Sequence, residues 1–414
     1  MTPTFCCGFE CGLVTVGTHL SGFVGTAPTI STTTVRSGSR SLRFNLAAQS
    51  GSCTANIAQN VTTSFVTRVY IYFDTLPSAN TNIVTAGASG TTAGIFFQVS
   101  DGKLYARANG TLGSTGIAVQ TGQWYCLDLF ADASFAAGLG WSVSLSVNGV
   151  AAATATNVLG ATTGWVHLGA QSSVTANIFY DDWILSETGA DYPIGPGHVH
   201  HFVPTSDGTH NIAGTGDFQR GNTGVDILNA TTTAYQLVDD VPLPSGTVDQ
   251  ADCWRAVAPA NPTTDYVHGV FGPASGIPTP AQGPRAVDVI IAHHQIATQN
   301  GEMEVLLDDN GTTGVILDTG VVAGVTTYRY ARAKFATPPT GGSWTVAGTS
   351  GNFNLVGCRF RAPDAAPDQC LDAIMIEAEF ADPPELSWDA RIPAILNQPN
   401  SVVSYGLDGG IKTT

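Results

Sequence analysis

An alternating segment near the middle of the chain constrains the fold most strongly. Residues 141–147 read WSVSLSV, so apolar side chains alternate with serine. Because successive side chains of a β-strand point to opposite faces, this pattern predicts a strand with one buried face and one polar face. The next two residues, Asn148 and Gly149, both tolerate the positive φ angles that a type I′ turn requires. The segment therefore predicts an antiparallel hairpin whose return strand begins at Val150.

The same type of pattern recurs along the chain. Residues 65–73, 95–99, 177–185 and 285–295 carry apolar side chains at alternate positions or in short apolar runs. Only 12% of the residues are charged and 47 of the 414 are glycine, and we find no helical period of three or more turns before residue 190. Many short strands separated by glycine-rich turns are typical of β-sandwiches. We therefore expect an all-β protein.

Breaks in this pattern predict four parts. Residues 189–197 hold two prolines and three glycines without periodicity, which is typical of a linker. We expect a first β-sandwich domain at 1–190, a Gly/Pro-rich connector at 191–264, a second β-sandwich domain at 265–381 and an extended C-terminal tail at 382–414. The tail is proline-rich and too short to form a core of its own.

The charge of the chain excludes some classes of partner. Acidic residues number 32 against 16 basic ones, which gives a formal net charge of −16. Binding to nucleic acid or to an anionic membrane needs clusters of Lys and Arg, so we expect neither partner. No apolar run reaches the roughly 18 residues that span a bilayer. The first residues also lack the basic and apolar regions of a signal peptide, so we expect no membrane insertion and no secretion.

One group of histidines could hold a metal ion. His198, His200, His201 and His210 lie close together in the sequence, with Asp207 nearby. Their spacing is not a standard zinc signature, and adjacent histidines in a strand point to opposite faces. We favour a polar surface without a metal.

The cysteines provide a second candidate group. Cys6, Cys7 and Cys11 lie together near the N-terminus, and Cys53 is a further candidate. The chain has no C-x-x-C pair there, and neighbouring cysteines diverge in a strand. We interpret these residues as reduced, buried thiols that pack as small apolar side chains, and we assign no metal ligand and no cofactor.

Patterns for catalysis are weak. Glu302 and Glu304 share one face of a predicted strand, and a glycosidase needs two carboxylates flanking a sugar cleft. We favour the solvent face of an antiparallel strand for this pair. No nucleophile elbow or phosphate-binding loop lies in its required strand-to-helix context. We therefore expect no catalytic residue and no enzymatic activity, with glycoside hydrolysis as the weaker alternative.

Aromatic residues offer a candidate glycan surface. A jelly roll can hold sugar through aromatic stacking together with hydrogen bonds from Asp or Asn side chains. The candidate contacts are Tyr72, Tyr105, Trp165 and Tyr180. The competing interpretation is that these rings pack in the core, because aromatic residues dominate β-sandwich interiors.

Several short motifs resemble one structural family. They are Cys7-Gly8-Phe9-Glu10, residues 37–44, residues 73–77, Gln123-Trp124-Tyr125, Val147-Asn148-Gly149, Leu168-Gly169 and residues 179–183. Together they resemble the concanavalin A-like (laminin G-like) jelly rolls of tailed-bacteriophage structural proteins. Residues 191–197, 204–211 and 229–240 resemble the connector that follows the jelly roll in such proteins, and the second block resembles the β-sandwich that completes them.

This resemblance implies a function. It implies a virion structural protein displayed on the particle surface, as a capsid decoration or head-associated protein, and assembled in the bacterial host cytoplasm. Its partners would be other virion proteins, the major capsid protein first and a tail protein second, and it would form a homo-oligomer. The alternative is a tail-associated or virion-borne adhesin that binds a cell-surface glycan. The family supplies no catalytic set to carry over.

Overall fold

A computed structural model gives the fold of the protein. The structure describes residues 3–14, 20–56, 64–87, 92–135, 140–158, 165–229, 233–245, 247–257, 261, 263–271, 283–295, 303–309, 313–318, 328–346, 353, 356–363, 369–382, 404–405 and 411–412. Nearly all regular structure in these residues is β-strand, which confirms the all-β prediction. Short 3-10 turns lie at Gly189–Asp191, Gly221–Thr223, Ile227–Asn229 and Ala234–Leu237. Among the described residues, no helix has the length and apolar character needed to cross a membrane.

Fifteen strands form the first sandwich. They are β1 (Pro3–Cys7), β2 (Leu20–Gly25), β3 (Thr29–Ser31), β4 (Ser41–Asn56), β5 (Ser64–Thr75), β6 (Thr81–Ala86), β7 (Ala93–Gln98), β8 (Lys103–Ala108), β9 (Thr111–Leu112), β10 (Ile117–Ala118), β11 (Trp124–Ser134), β12 (Gly140–Val147), β13 (Val150–Ala151), β14 (Ala155–Asn157) and β15 (Trp165–Ser186). Hydrogen bonds join them in the order β10-β8-β7-β6-β15-β5-β11-β12-β13. This sheet folds over on itself, so β11 and β12 lie against β7 and β8 across the core.

The predicted hairpin is confirmed within this sandwich. β12 and β13 are antiparallel, with Val147 opposite Val150. Asn148 has φ 50° and Gly149 has φ 79°, as the type I′ turn demands. The Asn148 side chain also accepts a hydrogen bond from the backbone N–H of Cys126 at 2.7 Å. The apolar face of the alternating segment, including Trp141, is buried in the core.

Two smaller sheets form the second sandwich. The remaining strands are β16 (Gly197–Phe202), β17 (Ser206–Asp207), β18 (Phe218–Arg220), β19 (Trp254–Ala256), β20 (Val267–Val270), β21 (Ala286–Gln295), β22 (Glu304–Asp309), β23 (Thr313–Asp318), β24 (Arg329–Phe335), β25 (Val356–Arg361), β26 (Gln369–Ala381), β27 (Ser404–Tyr405) and β28 (Ile411–Lys412). One sheet has the order β18-β19-β26-β21-β24, with β16 also on β26, and the other has the order β17-β20-β25-β22-β23. Apolar side chains of both sheets share one core.

The connector and the tail differ in what the structure describes. Residues 191–264, suggested by the sequence as a connector, contribute β16, β17, β18 and β19 to the two sheets of the second sandwich. Within the predicted tail at 382–414, Asp382 and the paired strands β27 and β28 are described. The rest of that prediction lies outside the described residues.

The N-terminal strand joins the two sandwiches. One edge of β1 pairs with β15, with Cys6 opposite Ile184. Beyond its other edge, the backbone N–H of Cys6 donates to Asp288 Oδ2 at 3.0 Å, and that of Gly8 donates to Glu377 Oε1 at 3.3 Å. Both carboxylates belong to the second sandwich. Backbone donors of the first sandwich are therefore satisfied by side chains of the second.

A buried ion-pair network lies in this junction. Asp288 and Glu377 are direct cross-strand neighbours on β21 and β26. Like charges in that position repel, and the positive charge of Arg332 on β24 compensates them. Arg332 Nε lies 2.9 Å from Asp288 Oδ2, and Arg332 Nη2 lies 2.9 Å from Glu377 Oε2. Arg68 of β5 adds a further pair, with its Nη2 2.7 Å from Glu379 Oε1. These charged side chains are buried next to a small apolar cluster that contains Val66, Ile184 and Val199, so the junction combines buried ion pairs with apolar packing.

Candidate functional site

The four predicted glycan contacts lie in different environments. Tyr180 is fully buried, and its hydroxyl donates to the carbonyl of Ile83 at 2.8 Å, so its ring packs in the core. Tyr105 on β8 is almost buried and its hydroxyl bonds to Asp101. Trp165 begins β15, and its side chain lies outside what the structure describes. Tyr72 on β5 is half-buried on the outward face of the sheet.

Tyr72 belongs to a row of side chains that crosses four adjacent strands. In register, Trp124 of β11 pairs with Tyr72 of β5, Tyr72 pairs with Phe179 of β15, and Phe179 pairs with Arg43 of β4. Ring centroids are 5.5 Å apart for Trp124 and Tyr72 and 5.9 Å apart for Tyr72 and Phe179. The Arg43 guanidinium carbon lies 5.5 Å from the centroid of the Phe179 ring. We call these four residues the aromatic row.

The alternation of the strands explains why this row points outward. The neighbouring residues Phe44, Ile71, Tyr125 and Ile178 are all in the core of the first sandwich. The side chains one position along each strand must therefore lie on the opposite face. Tyr72 is one of the four residues that the sequence suggested as glycan contacts, whereas Trp124 and Phe179 are not among them. The signal that could have found them is the cross-strand register, which a single strand does not contain.

Polar groups flank the aromatic row on the same face. Arg43 Nε donates to Asn177 Oδ1 at 2.9 Å, and Asn177 Nδ2 donates to Asp74 Oδ2 at 2.8 Å. Asp74 is exposed, so its second carboxylate oxygen is open to solvent. The surface therefore presents ring faces beside a carboxylate, an amide and a guanidinium, each with hydrogen-bonding capacity for hydroxyl groups.

The second sandwich covers the other half of this outward face. Tyr70, two residues before Tyr72 on β5, is buried, and the guanidinium carbon of Arg36 lies 3.4 Å from the centroid of its ring. The N–H of Gly197, where β16 begins, donates to the Tyr70 hydroxyl at 3.4 Å. The aromatic row therefore lies on the part of this face that the second sandwich does not cover.

A cavity of about 320 Å³ lies elsewhere in the first sandwich. Its lining includes Ser50 and Ser52 of β4, His167 and Gln171 of β15, and Thr92 before β7. Gln171 accepts a hydrogen bond from Asn82 at 3.1 Å. Burial lowers the pKa of His167, so its imidazole is neutral at pH 7. Of the described residues that line this cavity, none is a carboxylate or a Phe, Tyr or Trp, so it offers less to a sugar than the aromatic row does.

The predicted histidine group does not converge. His198 pairs with Asp382, while His201 lies 3.5 Å from Glu10. His210 Nδ1 accepts the backbone N–H of His268 at 3.0 Å. Burial is the main cause that lowers the pKa of His200. These side chains therefore serve separate local contacts.

The N-terminal cysteines are buried free thiols. Cys6, Cys7 and Cys11 form no disulfide, and burial raises the pKa of each, to about 12 for Cys11. The side chain of Cys53 lies outside what the structure describes. Of the predicted carboxylate pair, Glu302 also lies outside it, whereas Glu304 pairs with Arg361 across β22 and β25. Among the described residues, one group of ligand-type side chains does converge, namely Cys253, His294 and Cys370, which no sequence motif indicates.

Comparison with known proteins gives weak structural likenesses. The sequence matches no protein-family model and no curated protein. Among solved structures, it is similar to the cellulose-induced protein Cip1 (TM-score 0.32, 14% identity, 44% of this chain and 97% of that one) and to the globular domain of T. cruzi calreticulin (0.32, 12%, 45% and 88%). A third is domain 4 of AbnA, an extracellular arabinanase of Geobacillus stearothermophilus, in complex with arabinotriose (0.31, 15%, 45% and 96%). Likenesses at this level assign the chain to no family and to no function.

Proposed function

We propose that the protein is a non-enzymatic carbohydrate-binding protein whose binding surface is the aromatic row. One observation carries this proposal. Three rings from three adjacent strands lie in one row outside the core, with Asp74 and Asn177 directly beside them. Trp124 and Tyr72 are half-buried and reach solvent, whereas Phe179 is only 4% exposed and supports them from below, beside the Arg43 guanidinium. Outward faces of antiparallel sheets are ordinarily polar, so aligned aromatic side chains there call for an occupant.

The chemistry of the surface fits a sugar. An aromatic face carries partial negative charge, which attracts the weakly positive C–H groups on the apolar side of a pyranose or furanose ring. The hydroxyl groups around that ring need donors and acceptors at its edge, which Asp74, Asn177 and Arg43 supply. The three polar groups are already held by hydrogen bonds to one another, so little side-chain entropy is lost when a ligand binds.

Substitution in the aromatic row should abolish most of the binding. The probe is an array of immobilised plant and bacterial oligosaccharides, followed by calorimetry with the best ligand. We expect Trp124→Ala and Tyr72→Ala each to weaken binding at least about tenfold, which is about 1.4 kcal/mol. Tyr72→Phe retains the ring and should stay within about twofold of the parent, which corresponds to about 0.4 kcal/mol.

Tyr105→Ala is the matched control. Tyr105 is also an aromatic residue of the first sandwich, but β8 is separated from β5 by β7, β6 and β15 in the sheet order. We expect this variant to bind normally once circular dichroism shows that it is folded. Equal binding by Trp124→Ala and the parent, or no binding to any sugar on the array, would contradict the proposal. Chromatography should recover the bound sugar unchanged, and its cleavage would contradict the non-enzymatic part.

A second candidate function is that of a virion structural protein, presented on the particle surface together with other virion proteins. The observation that favours it is the junction of the two sandwiches, where β1 and buried ion pairs join them through hydrogen bonds from both sides. Rigid, β-rich bodies of this kind suit a particle that must persist outside a cell. The two functions are compatible, because a surface protein of a virion can also bind a glycan.

Particle association tests this second candidate. We expect mass spectrometry of density-purified phage particles, from the culture that produces this chain, to detect it at a fixed ratio to the major capsid protein. Because only 12% of the residues are charged, we expect the contacts with other virion proteins to be largely uncharged. Washing the particles with high salt should then leave that ratio unchanged. Absence of the chain from purified particles would rule the candidate out.

A further inference from the structure

Three ligand-type side chains meet inside the second sandwich, far from the aromatic row. Cys253 immediately precedes β19, His294 is in β21 and Cys370 is in β26. One imidazole nitrogen and the two sulfur atoms all lie within 4.8 Å of one another. All three residues are buried, with exposed fractions of 0%, 1% and 0%. We call them the Cys-His-Cys cluster.

The sheet order brings these residues together although they are far apart in the chain. β26 lies between β19 and β21, and Cys370 at its start is directly opposite His294. On the other side, Cys370 is opposite Arg255, so Cys253 lies just beyond the end of the ladder. β21, β26 and the residue just before β19 therefore place one ligand each at the same end of the sheet.

A β-bulge supplies a fourth polar group. In the pairing of β21 and β26, Ala292 lies opposite Ala373 and His293 lies opposite Leu371, so Asp372 is the extra residue. Asp372 Oδ2 lies 2.8 Å from His294 Nδ1. A carboxylate in this position fixes the orientation and tautomer of an imidazole whose other nitrogen binds a metal.

The buried polar atoms of this group are incompletely satisfied. Asp372 Oδ1 has no hydrogen-bond partner, and His294 Nε2 has none of ordinary geometry, although the Cys370 thiol lies beside the imidazole and both His294 and Asp372 are buried. A buried polar atom without a partner costs about 1–3 kcal/mol, so such atoms call for an explanation. A bound cation would engage both the free imidazole nitrogen and the thiol sulfurs around it.

We propose that the Cys-His-Cys cluster binds a thiophilic d10 metal ion, Zn²⁺ or Cu⁺, with Asp372 orienting His294. Two thiolates and one imidazole are a soft ligand set that selects these ions over Mg²⁺ or Ca²⁺. Binding releases one proton from each thiol to solvent, because the thiolate is the ligand form. Cu⁺ accepts three ligands, whereas Zn²⁺ takes a fourth from water. The ion would link β19, β26 and β21.

Metal analysis of the full chain tests the proposal. We expect purified protein, expressed with Zn²⁺ or Cu²⁺ salts and then desalted, to retain close to one equivalent of one of these metals by plasma mass spectrometry. Cys370→Ala and Cys253→Ala should lose at least 80% of it. Cys358→Ala is the matched control, because Cys358 is an equally buried free thiol on β25, outside the cluster, and it should retain the metal.

Two further measurements keep the test decisive if the variants unfold. In the unsubstituted chain, Co²⁺ replacing Zn²⁺ should give an intense thiolate-to-cobalt absorption band, whereas a Cu⁺ site should lose its metal to a Cu⁺-specific chelator and take up no Co²⁺. Either result supports the proposal and identifies the ion. Less than 0.1 equivalent of metal after loading, or a Cys253–Cys370 disulfide found by mapping under non-reducing conditions, would overturn it.

Discussion

Arg332→Ala should lower the free energy of unfolding by about 3–5 kcal/mol, the usual cost of removing one partner from a buried ion pair. Arg332 is the cation that lies between Asp288 and Glu377, and all three side chains are buried. Without it, two carboxylates that face each other across neighbouring strands lose their compensating charge. Urea denaturation followed by tryptophan fluorescence measures the change at pH 8, which is above the pKa of about 7 of Glu377, so that both carboxylates are ionised.

Two controls separate the loss of charge compensation from the loss of any arginine. Arg361→Ala removes an arginine that pairs with Glu304 at a partly exposed position, and it should cost no more than about 1 kcal/mol. The triple variant Arg332→Met, Asp288→Asn, Glu377→Gln removes all three charges and should recover part of the stability, because no uncompensated charge remains. If Arg332→Ala costs no more than Arg361→Ala, the buried network does not stabilise the junction.

Glu377→Gln should change how stability depends on pH. Burial raises the pKa of Glu377 from 4.5 to about 7; Arg332 and the N–H of Gly8 act in the opposite direction, and the charges of Asp288 and Glu10 add to the increase. Between pH 4.5 and 7 the folded protein therefore holds a proton that the unfolded chain has released. The contribution of Glu377 to the free energy of unfolding is therefore fully present below pH 4.5. It is lost as the pH rises through 7, by up to about 1.4 kcal/mol per pH unit.

The measurement is the difference in free energy of unfolding between the parent and Glu377→Gln at half-unit steps from pH 4 to 8. The parent should lose stability relative to the variant across the window from 4.5 to 7. Other titrating groups contribute equally to both proteins, so their effects cancel in the difference. One of them is His293. Burial lowers its pKa to about 4, so its contribution to the pH dependence of stability has the opposite sign over part of the same window. Parallel curves for the two proteins would show that Glu377 has the same pKa in the folded and unfolded chain, which contradicts the expectation.

The strands and the orientation of their faces follow directly from the sequence. The alternating segment at 141–147 forms β12 with Trp141 in the core, and Asn148 and Gly149 form the predicted turn. β26 alternates in the same way, with Ile374, Ile376 and Phe380 on the core face and Glu377 on the other. These features are local, because the period of a strand and the φ angles of a turn depend on adjacent residues.

The candidate surface shows where local reasoning fails. Residues 179–183 read FYDDW, and either Phe179 or Tyr180 could have faced outward on the sequence alone. The register of β15 against β4 and β5 turns Tyr180 into the core and leaves Phe179 beside Tyr72. A shift of one residue would exchange these two faces, so only the pairing with other strands decides which ring packs in the core and which lies on the opposite face of the sheet.

By itself, the sequence determined the all-β class, the hairpin that turns at Asn148 and Gly149, and which side chains alternate along each strand, because these depend on neighbours in the chain. The tertiary structure alone decided that Glu377 and Asp288 meet in a buried junction, that Trp124 joins Tyr72, and that Cys253 meets His294 and Cys370. In each case the partners come from segments that are far apart in the sequence, and the register and the order of the strands bring them together. No local sequence pattern specifies that pairing.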